Sequence, residues 1–296
     1  MIKSVAVVGA GAMGAPIARR LSEVGFTVTV CDANPRALEP FRAVGNGTTT
    51  KPAECGSADL ILLLVATPAQ ARAALYDESG IVHSVPSGTR PLVAVMSTIS
   101  PEVVKEFADA ALTTGIRIID APVSGGPPRA ADGTLSVLVA GTETDIEEAR
   151  PALSALGAVF ECGAVGNAQT LKLVNNMVCA ANLVITGEAY RLALECGLDL
   201  DDVTDVLEVS TGRNFLSDGR GTAQSYLRGW TQSREAYDAT LAIVRKDVGL
   251  AIELAGATPG AYVGLAGIAE IMASLGDATF DDWKVAATGI TPEGRA

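Results

Sequence analysis

Three features of the 296-residue chain predict an α/β class protein: a doubly wound sheet followed by an all-α domain, joined by one long helix. Short apolar, β-rich runs alternate with segments of helical spacing through the first half. The turn Gly9-Ala-Gly11-Ala12-Met13-Gly14 sits between the first such run and the first helical segment. From Gly163 the chain continues for about 30 residues without a proline, long for a globular helix, and everything beyond reads as helix. These features divide the chain into residues 1–163, nucleotide-binding in pattern, and 164–296, helical.

The first element, Ser4-Val-Ala-Val-Val, is apolar on both faces, as a buried parallel strand must be. Met13, Ile17, Leu21 and Val24 then recur at helical spacing, with Pro16 in the first turn, where its missing N–H costs little. Gly25 ends that helix, and Thr27-Val-Thr-Val-Cys-Asp32 is the second strand. A glycine triplet between strand and helix, with an acid closing the next strand, is the dinucleotide fingerprint of a Rossmann-type βαβ unit. Gly9 permits the tight turn, Gly11 lets backbone approach a pyrophosphate, and Gly14 lets helix and strand pack closely. Asp32 is placed to accept from a ribose 2′-OH and to repel a 2′-phosphate, so NAD is the expected cofactor. Arg36, four residues on, keeps NADP from being excluded.

Ala58-Asp-Leu-Ile-Leu-Leu-Leu-Val65-Ala and Pro91-Leu-Val-Ala-Val-Met are further strands, and Ser100-Pro101 caps a helix through Ala111. Arg117-Ile-Ile-Asp120 and Leu135-Ser-Val-Leu-Val-Ala complete the strands, and Asp145 to Ala155 is a further helix. The strand ends at Val65 to Pro68, at Met96, Ser97 and Thr98, and at Asp120 to Gly126 line the crevice where such sheets bind ligands. Between Asp120 and Leu135 the pattern is that of a long turn. Its Ser124-Gly125-Gly126 offers a hydroxyl and bare N–H groups, chemistry suited to a carboxylate.

Composition narrows the function. The net charge of −12 argues against nucleic acid, whose phosphates need a basic surface. No stretch is read as a membrane span, and the N-terminus lacks a signal peptide's layout, so a cytoplasmic location is expected. Five cysteines without C-x-x-C spacing read as reduced thiols, and no metal site is expected. His83 is the only histidine, and its setting before Pro86-Ser-Gly reads as a structural surface loop. Histidine-based triads and hydride-transfer sites are thereby largely removed.

The long helix supplies the alternative base. Lys172, Asn175 and Asn176 stand at i, i+3 and i+4, on one face of a helix whose later turns read as buried nearly all round. A lysine that snorkels from a core helix is the bland reading; a general base for an alcohol is the functional one.

Gly9-x-Gly-x-x-Gly14, Asp120-Ala-Pro-Val-Ser-Gly-Gly126 and Lys172-Leu-Val-Asn-Asn176, in that order, resemble the β-hydroxyacid dehydrogenase family over nearly the whole chain. Ser97-Thr-Ile-Ser-Pro101, Ser210-Thr-Gly-Arg213-Asn-Phe215 and Arg245-Lys246-Asp247 are similar to further family landmarks. The resemblance implies oxidation of a 3-hydroxy acid, or the reverse reduction, in a homodimer or homotetramer. It implies that Ser124, Gly125 and Gly126 hold the substrate carboxylate and that Lys172 is the general acid/base. It further implies that Asn176 orients substrate or lysine, and that Lys246 closes the site near the cofactor. In that role Lys172 needs a depressed pKa, which burial and a cationic nicotinamide would supply. A semialdehyde reductase is the alternative within the fold; Lys172 argues against an imine reductase and against an inert binding module.

Pro127-Pro128-Arg129 and Ala66-Thr-Pro-Ala-Gln70 lean towards the L-threonate dehydrogenase branch. Arg129 is placed either to reach a second polar end of the substrate or to pair with Asp132. Arg213 and Phe215 either shape the pocket or pack a helix end. In the second half, helices are expected near 201–210, 236–255, 260–275 and 281–287, broken at Thr211-Gly-Arg-Asn and Gly256-Ala-Thr-Pro259. Trp230 and Trp283 are expected to pack the helical domain or a subunit contact.

Overall fold

The computed structural model describes residues 2–256 and 261–288, in two compact units, Met1–Lys172 and Leu173–Ala296. The first contains β1 (Ser4–Val8), α1 (Gly14–Glu23), β2 (Thr27–Cys31), α2 (Glu39–Arg42), β3 (Gly47–Thr49), β4 (Leu60–Leu63), α3 (Pro68–Tyr76), β5 (Leu92–Val95), α4 (Pro101–Thr114) and β6 (Arg117–Asp120). It continues through β7 (Val123–Ser124), α5 (Gly126–Asp132), β8 (Leu135–Val139), α6 (Glu143–Ser154), β9 (Gly157–Glu161) and the start of α7 (Asn167–Glu195).

The main sheet has the order β3-β2-β1-β4-β5-β6, all parallel. Its strands read as unbroken apolar runs because both faces are covered. Val5, Val7, Leu60, Leu62, Leu92 and Ala94 pack on one side with Ile17 and Leu21 of α1. Ala6, Val8, Ile61, Leu63, Val93 and Val95 pack on the other with Leu75 of α3 and Phe107 of α4. The register pairs Val8 with Leu63, Leu63 with Val95, and Val95 with Asp120. The segments that follow these four residues therefore emerge along one sheet edge, where doubly wound sheets bind ligands.

Leu135–Val139, a strand as expected, lies in a second, three-stranded sheet of order β7-β8-β9, with a bridge between Asp120 and Ala140 linking it to the main one. Its partner strands carry little sequence signal because β7 has two residues and β9 is a half-exposed edge with Phe160 in solvent. The long turn expected after Ser124 also contains α5. Pro127 and Pro128 look like helix breakers, but they sit in its first turn, where an N–H has no partner to lose.

The second unit holds the rest of α7, then α8 (Leu200–Val209), α9 (Thr222–Trp230), α10 (Arg234–Ala255), α11 (Val263–Ser274) and α12 (Asp277–Thr288). Helix α9 is not among the helices expected from sequence, since its short run follows Gly221 and contains Gly229. The expected break at 256–259 falls mostly outside the described residues. Trp230 and Trp283 pack the helical core, 6.0 Å apart between ring centroids, in an aromatic row that continues through Tyr226 to Phe215.

Helix α7 departs from expectation in two ways. It is long and apolar enough to cross a membrane, whereas no stretch of the sequence reads as a span. Yet Leu173, Ala180, Leu183, Val184 and Tyr190 pack into the helical core, so the length serves a core helix. Nor is it buried all round: Leu171, Val174, Val178, Ile185 and Leu192 are exposed.

Candidate active site

The glycine turn has three different steric reasons for its three glycines. A Cβ on Gly9, at φ +101°, would lie 2.3 Å from the Leu64 carbonyl oxygen. One on Gly14 would lie 1.8 Å from the Gly9 carbonyl oxygen. One on Gly11 would meet nothing within 4 Å, so the side of the turn that Gly11 faces is open. Met13 offers α1 no side-chain cap, Ala15 N donates to the Gly11 carbonyl at 3.0 Å and Pro16 carries no N–H, so within the first turn the Gly14 N–H is the donor left for an anion in that opening. The Asp32 carboxylate braces the turn, Oδ2 accepting from Ala10 N at 2.7 Å and Oδ1 from Asn34 N at 2.8 Å. A pyrophosphate over Gly11 and a ribose beside Asp32 fit this cradle. Replacing Gly14 by alanine is expected to weaken dinucleotide binding about 5- to 150-fold, because relieving overpacking of this kind costs about 1–3 kcal/mol. Calorimetric titration with NAD and NADP checks this, and unchanged affinity would contradict it.

The neighbouring strand ends are tied together. Val65 follows β4, and its N–H donates to Ser97 Oγ at 2.9 Å. Ser97 is buried, and its hydroxyl also lies 2.8 Å from the Val65 carbonyl and 3.2 Å from that of Leu63. That hydroxyl is thus engaged in holding the strand ends, while Thr98 beside it is half-buried. Gln70, within the Ala66–Gln70 segment, serves a capping box with Thr67 at the start of α3.

Ser124 ends β7, and Gly125 and Gly126 follow at φ +136° and +76°. A Cβ on Gly125 would crowd Arg129 and Leu135 at 3.0–3.1 Å, whereas Gly126 has space around it. Since the next two residues are prolines, the N–H groups here belong to Gly125 and Gly126. Arg129 is not paired with Asp132. Its guanidinium donates to the Thr134 carbonyl, while Thr134 N donates to the Arg129 carbonyl at 2.9 Å, closing the turn after α5.

Helix α7 is anchored at its start by Asp120, a fully buried carboxylate at the end of β6. Oδ1 accepts from Gly166 N and Oδ2 from Gln169 N, both at 3.0 Å. Burial pushes this carboxyl up, against the opposing pull of the backbone donors. One turn beyond Gln169 stands Lys172, only 7% exposed. Among the described residues it is the buried lysine, consistent with a chemical role.

In the helical unit, Asn176 Nδ2 donates to Asp247 Oδ2 at 2.5 Å and its Oδ1 accepts from Asn175 Nδ2 at 3.0 Å. Asp247 is 5% exposed, and Lys246 Nζ lies 2.8 Å from its Oδ1. Asp247 belongs to a segment the sequence picks out, yet nothing local marks it as the group between Lys246 and Asn176. Arg213 is exposed and pairs with Asp218 at 3.2 Å. Phe215 packs edge-on to Tyr226, and Asn214 between them ties this loop to α7 through Thr186 Oγ1 at 2.9 Å. His83 is exposed, with Nε2 3.3 Å from the Tyr76 carbonyl. Among the described residues, no three His, Cys, Asp or Glu side chains gather as a metal site.

The chain is similar to known proteins over most of its length. Residues 4–166 match the model of the NAD-binding domain of 6-phosphogluconate dehydrogenase, and 166–288 that of the NAD-binding domain of NADP-dependent 3-hydroxyisobutyrate dehydrogenase. The chain is 34% identical to human mitochondrial 3-hydroxyisobutyrate dehydrogenase over 86% of its own length and 76% of the relative's. It is 31% identical to L-threonate dehydrogenase of Cupriavidus necator, over 86% and 84%. The structure of Mycobacterium tuberculosis 3-hydroxyisobutyrate dehydrogenase with L-serine superposes with a TM-score of 0.75 at 27% identity, covering 98% of this chain and 99% of that one. With both family models in tandem and such relatives over most of its length, the chain belongs to the 3-hydroxyisobutyrate dehydrogenase group of the β-hydroxyacid dehydrogenase family, NAD(P)-dependent oxidoreductases of small hydroxy acids.

Proposed function

We propose that the protein interconverts a small 3-hydroxy acid and its aldehyde or keto acid, with Lys172 as general acid/base and NAD as the preferred cofactor. The observation that carries this reading is a buried lysine one turn ahead of an asparagine whose amide is itself held by a buried aspartate. The nicotinamide, when bound, exchanges hydride with the carbinol carbon. Lys172 Nζ takes the hydroxyl proton as hydride leaves and returns one in the reverse direction. Ser124 and the Gly125 and Gly126 N–H groups orient the substrate through its carboxylate, fixing which carbon faces the cofactor. Asn176, its Oδ1 and Nδ2 engaged by Asn175 and Asp247, is held in one orientation one turn beyond the lysine.

NAD is preferred because Asp32 is a rigid acceptor whose charge opposes a 2′-phosphate. A spectrophotometric screen of small 3-hydroxy acids, 3-hydroxyisobutyrate, L-threonate and L-serine among them, run in parallel with NAD and NADP, tests the whole reading. Turnover of at least one with NAD favoured is expected. Activity confined to NADP would overturn the cofactor assignment, and no turnover of any 3-hydroxy acid would overturn the reaction.

The active form proposed is a homo-oligomer. Leu171, Val178, Ile185 and Leu192 are exposed at seven-residue intervals, a row along one side of α7. Exposed Asn175 and Glu188 flank this row, and its four apolar side chains fit the same row, or another apolar face, of a second copy. Ile185→Asp is expected to lower the molar mass measured by light scattering; an unchanged mass would remove this row from the interface.

A further inference from the structure

Gln169 is fully buried at the start of α7, and every polar group it has is engaged. Its Oε1 accepts from Ile99 N at 3.2 Å. Its Nε2 donates to the Ser97 carbonyl at 3.0 Å and lies 3.5 Å from that of Val95. Its own N–H donates to Asp120. One amide thus grips both sides of the segment leaving β5, while its Cα stands three residues before Lys172. The Ser97 hydroxyl extends the connection to Val65 at the end of β4.

We infer that Gln169 is a positioning residue for the reaction: it fixes the Lys172 turn of α7 relative to the Ser97–Ile99 segment at the ligand-binding sheet edge. This rests on the reading of Lys172 as the general acid/base. Proton transfer demands that Nζ stand within hydrogen-bond reach of the reacting oxygen in the geometry that allows hydride transfer, and small misplacements cost rate steeply. A glutamine suits the task because it presents one donor and one acceptor from a single planar group, matching the Ser97 carbonyl and the Ile99 N–H together. An apolar side chain of the same length fills the space but holds neither.

The test compares Gln169→Met, Gln169→Glu and Lys172→Met with the wild type, using a hydroxy acid found in the screen and its analogue deuterated at the carbinol carbon. For Gln169→Met, kcat is expected to fall at least about tenfold, with the isotope effect on kcat rising and cofactor Kd staying within about threefold. A merely structural amide would lower the melting temperature while leaving kcat per folded site and the isotope effect unchanged, and that result would overturn the inference. If Gln169→Met does not fold, Gln169→Glu carries the test. Its protonated form keeps one donor and one acceptor, its ionised form has no donor for Ser97, so its kcat relative to wild type should fall as pH rises through that titration. A pH-independent ratio would overturn the inference. The charged groups around this position are Asp120 on β6, Lys105 of α4 beside Gly166, and Lys172. Lys172→Met separates the two readings. Near-normal turnover in that variant removes the lysine assignment itself, whereas its loss beside an unaffected Gln169→Met removes only the role of Gln169.

Discussion

Lys172→Met is expected to lower kcat by about three orders of magnitude, the middle of the range for losing a positioned general acid/base. The substitution keeps a long unbranched side chain in the helix, so packing around the position changes little. Dinucleotide affinity should stay within a few fold, because the Gly9–Gly14 turn joins β1 to α1 and Asp32 directly follows β2, so neither belongs to α7. The measurements are steady-state turnover, fluorescence titration with the cofactor, and thermal unfolding. A folded variant that binds cofactor and keeps near-normal turnover would show that the proton leaves by another route. With His83 exposed and engaged by the Tyr76 carbonyl, no histidine offers one.

Much of this site is legible in the amino-acid sequence because its parts are local. The Gly9–Gly14 turn, the acid at the end of β2 and the spacing of Lys172 to Asn176 each sit within a few residues, and local sterics set their meaning. Ser100-Pro101 is readable as a helix start for the same reason, and Ser100 does cap α4 through Val103 N. What the sequence hides depends on long-range pairing. Asp120 reads as a strand end; that its carboxylate caps a helix 46 residues later depends on where α7 starts against the sheet. Asp247 lies 71 residues from the Asn176 it holds. Gln169 stands within the long helix, but its partners are 70 and 72 residues away. Arg129 is legible as a charge, and its nearest use is its own loop. The exposed row on α7 reads as core because an apolar residue has the same sequence signature whether or not its own chain covers it.

Asp120 yields the largest stability effect among these long-range ties. Asp120→Ala leaves the N–H groups of Gly166 and Gln169 without an acceptor, at a site with no access to solvent. Each such buried donor costs about 1–3 kcal/mol, while relief from burying a carboxylate returns part of that. A net loss of about 2–4 kcal/mol in urea unfolding is expected. Asp120→Asn is the informative companion. The two donors each take a different oxygen of the carboxylate, so an amide satisfies one and sets its own NH2 against the other. It should therefore lose more than half of what alanine loses, although asparagine and aspartate are ordinarily equal as helix caps. If asparagine were as stable as the wild type, a single acceptor would suffice, and the carboxylate's two-pronged grip would not be what seats α7 on β6. The same variants should lower kcat along with stability, because the residue that donates to Asp120 Oδ2 stands one turn before Lys172, and a frayed first turn moves the base.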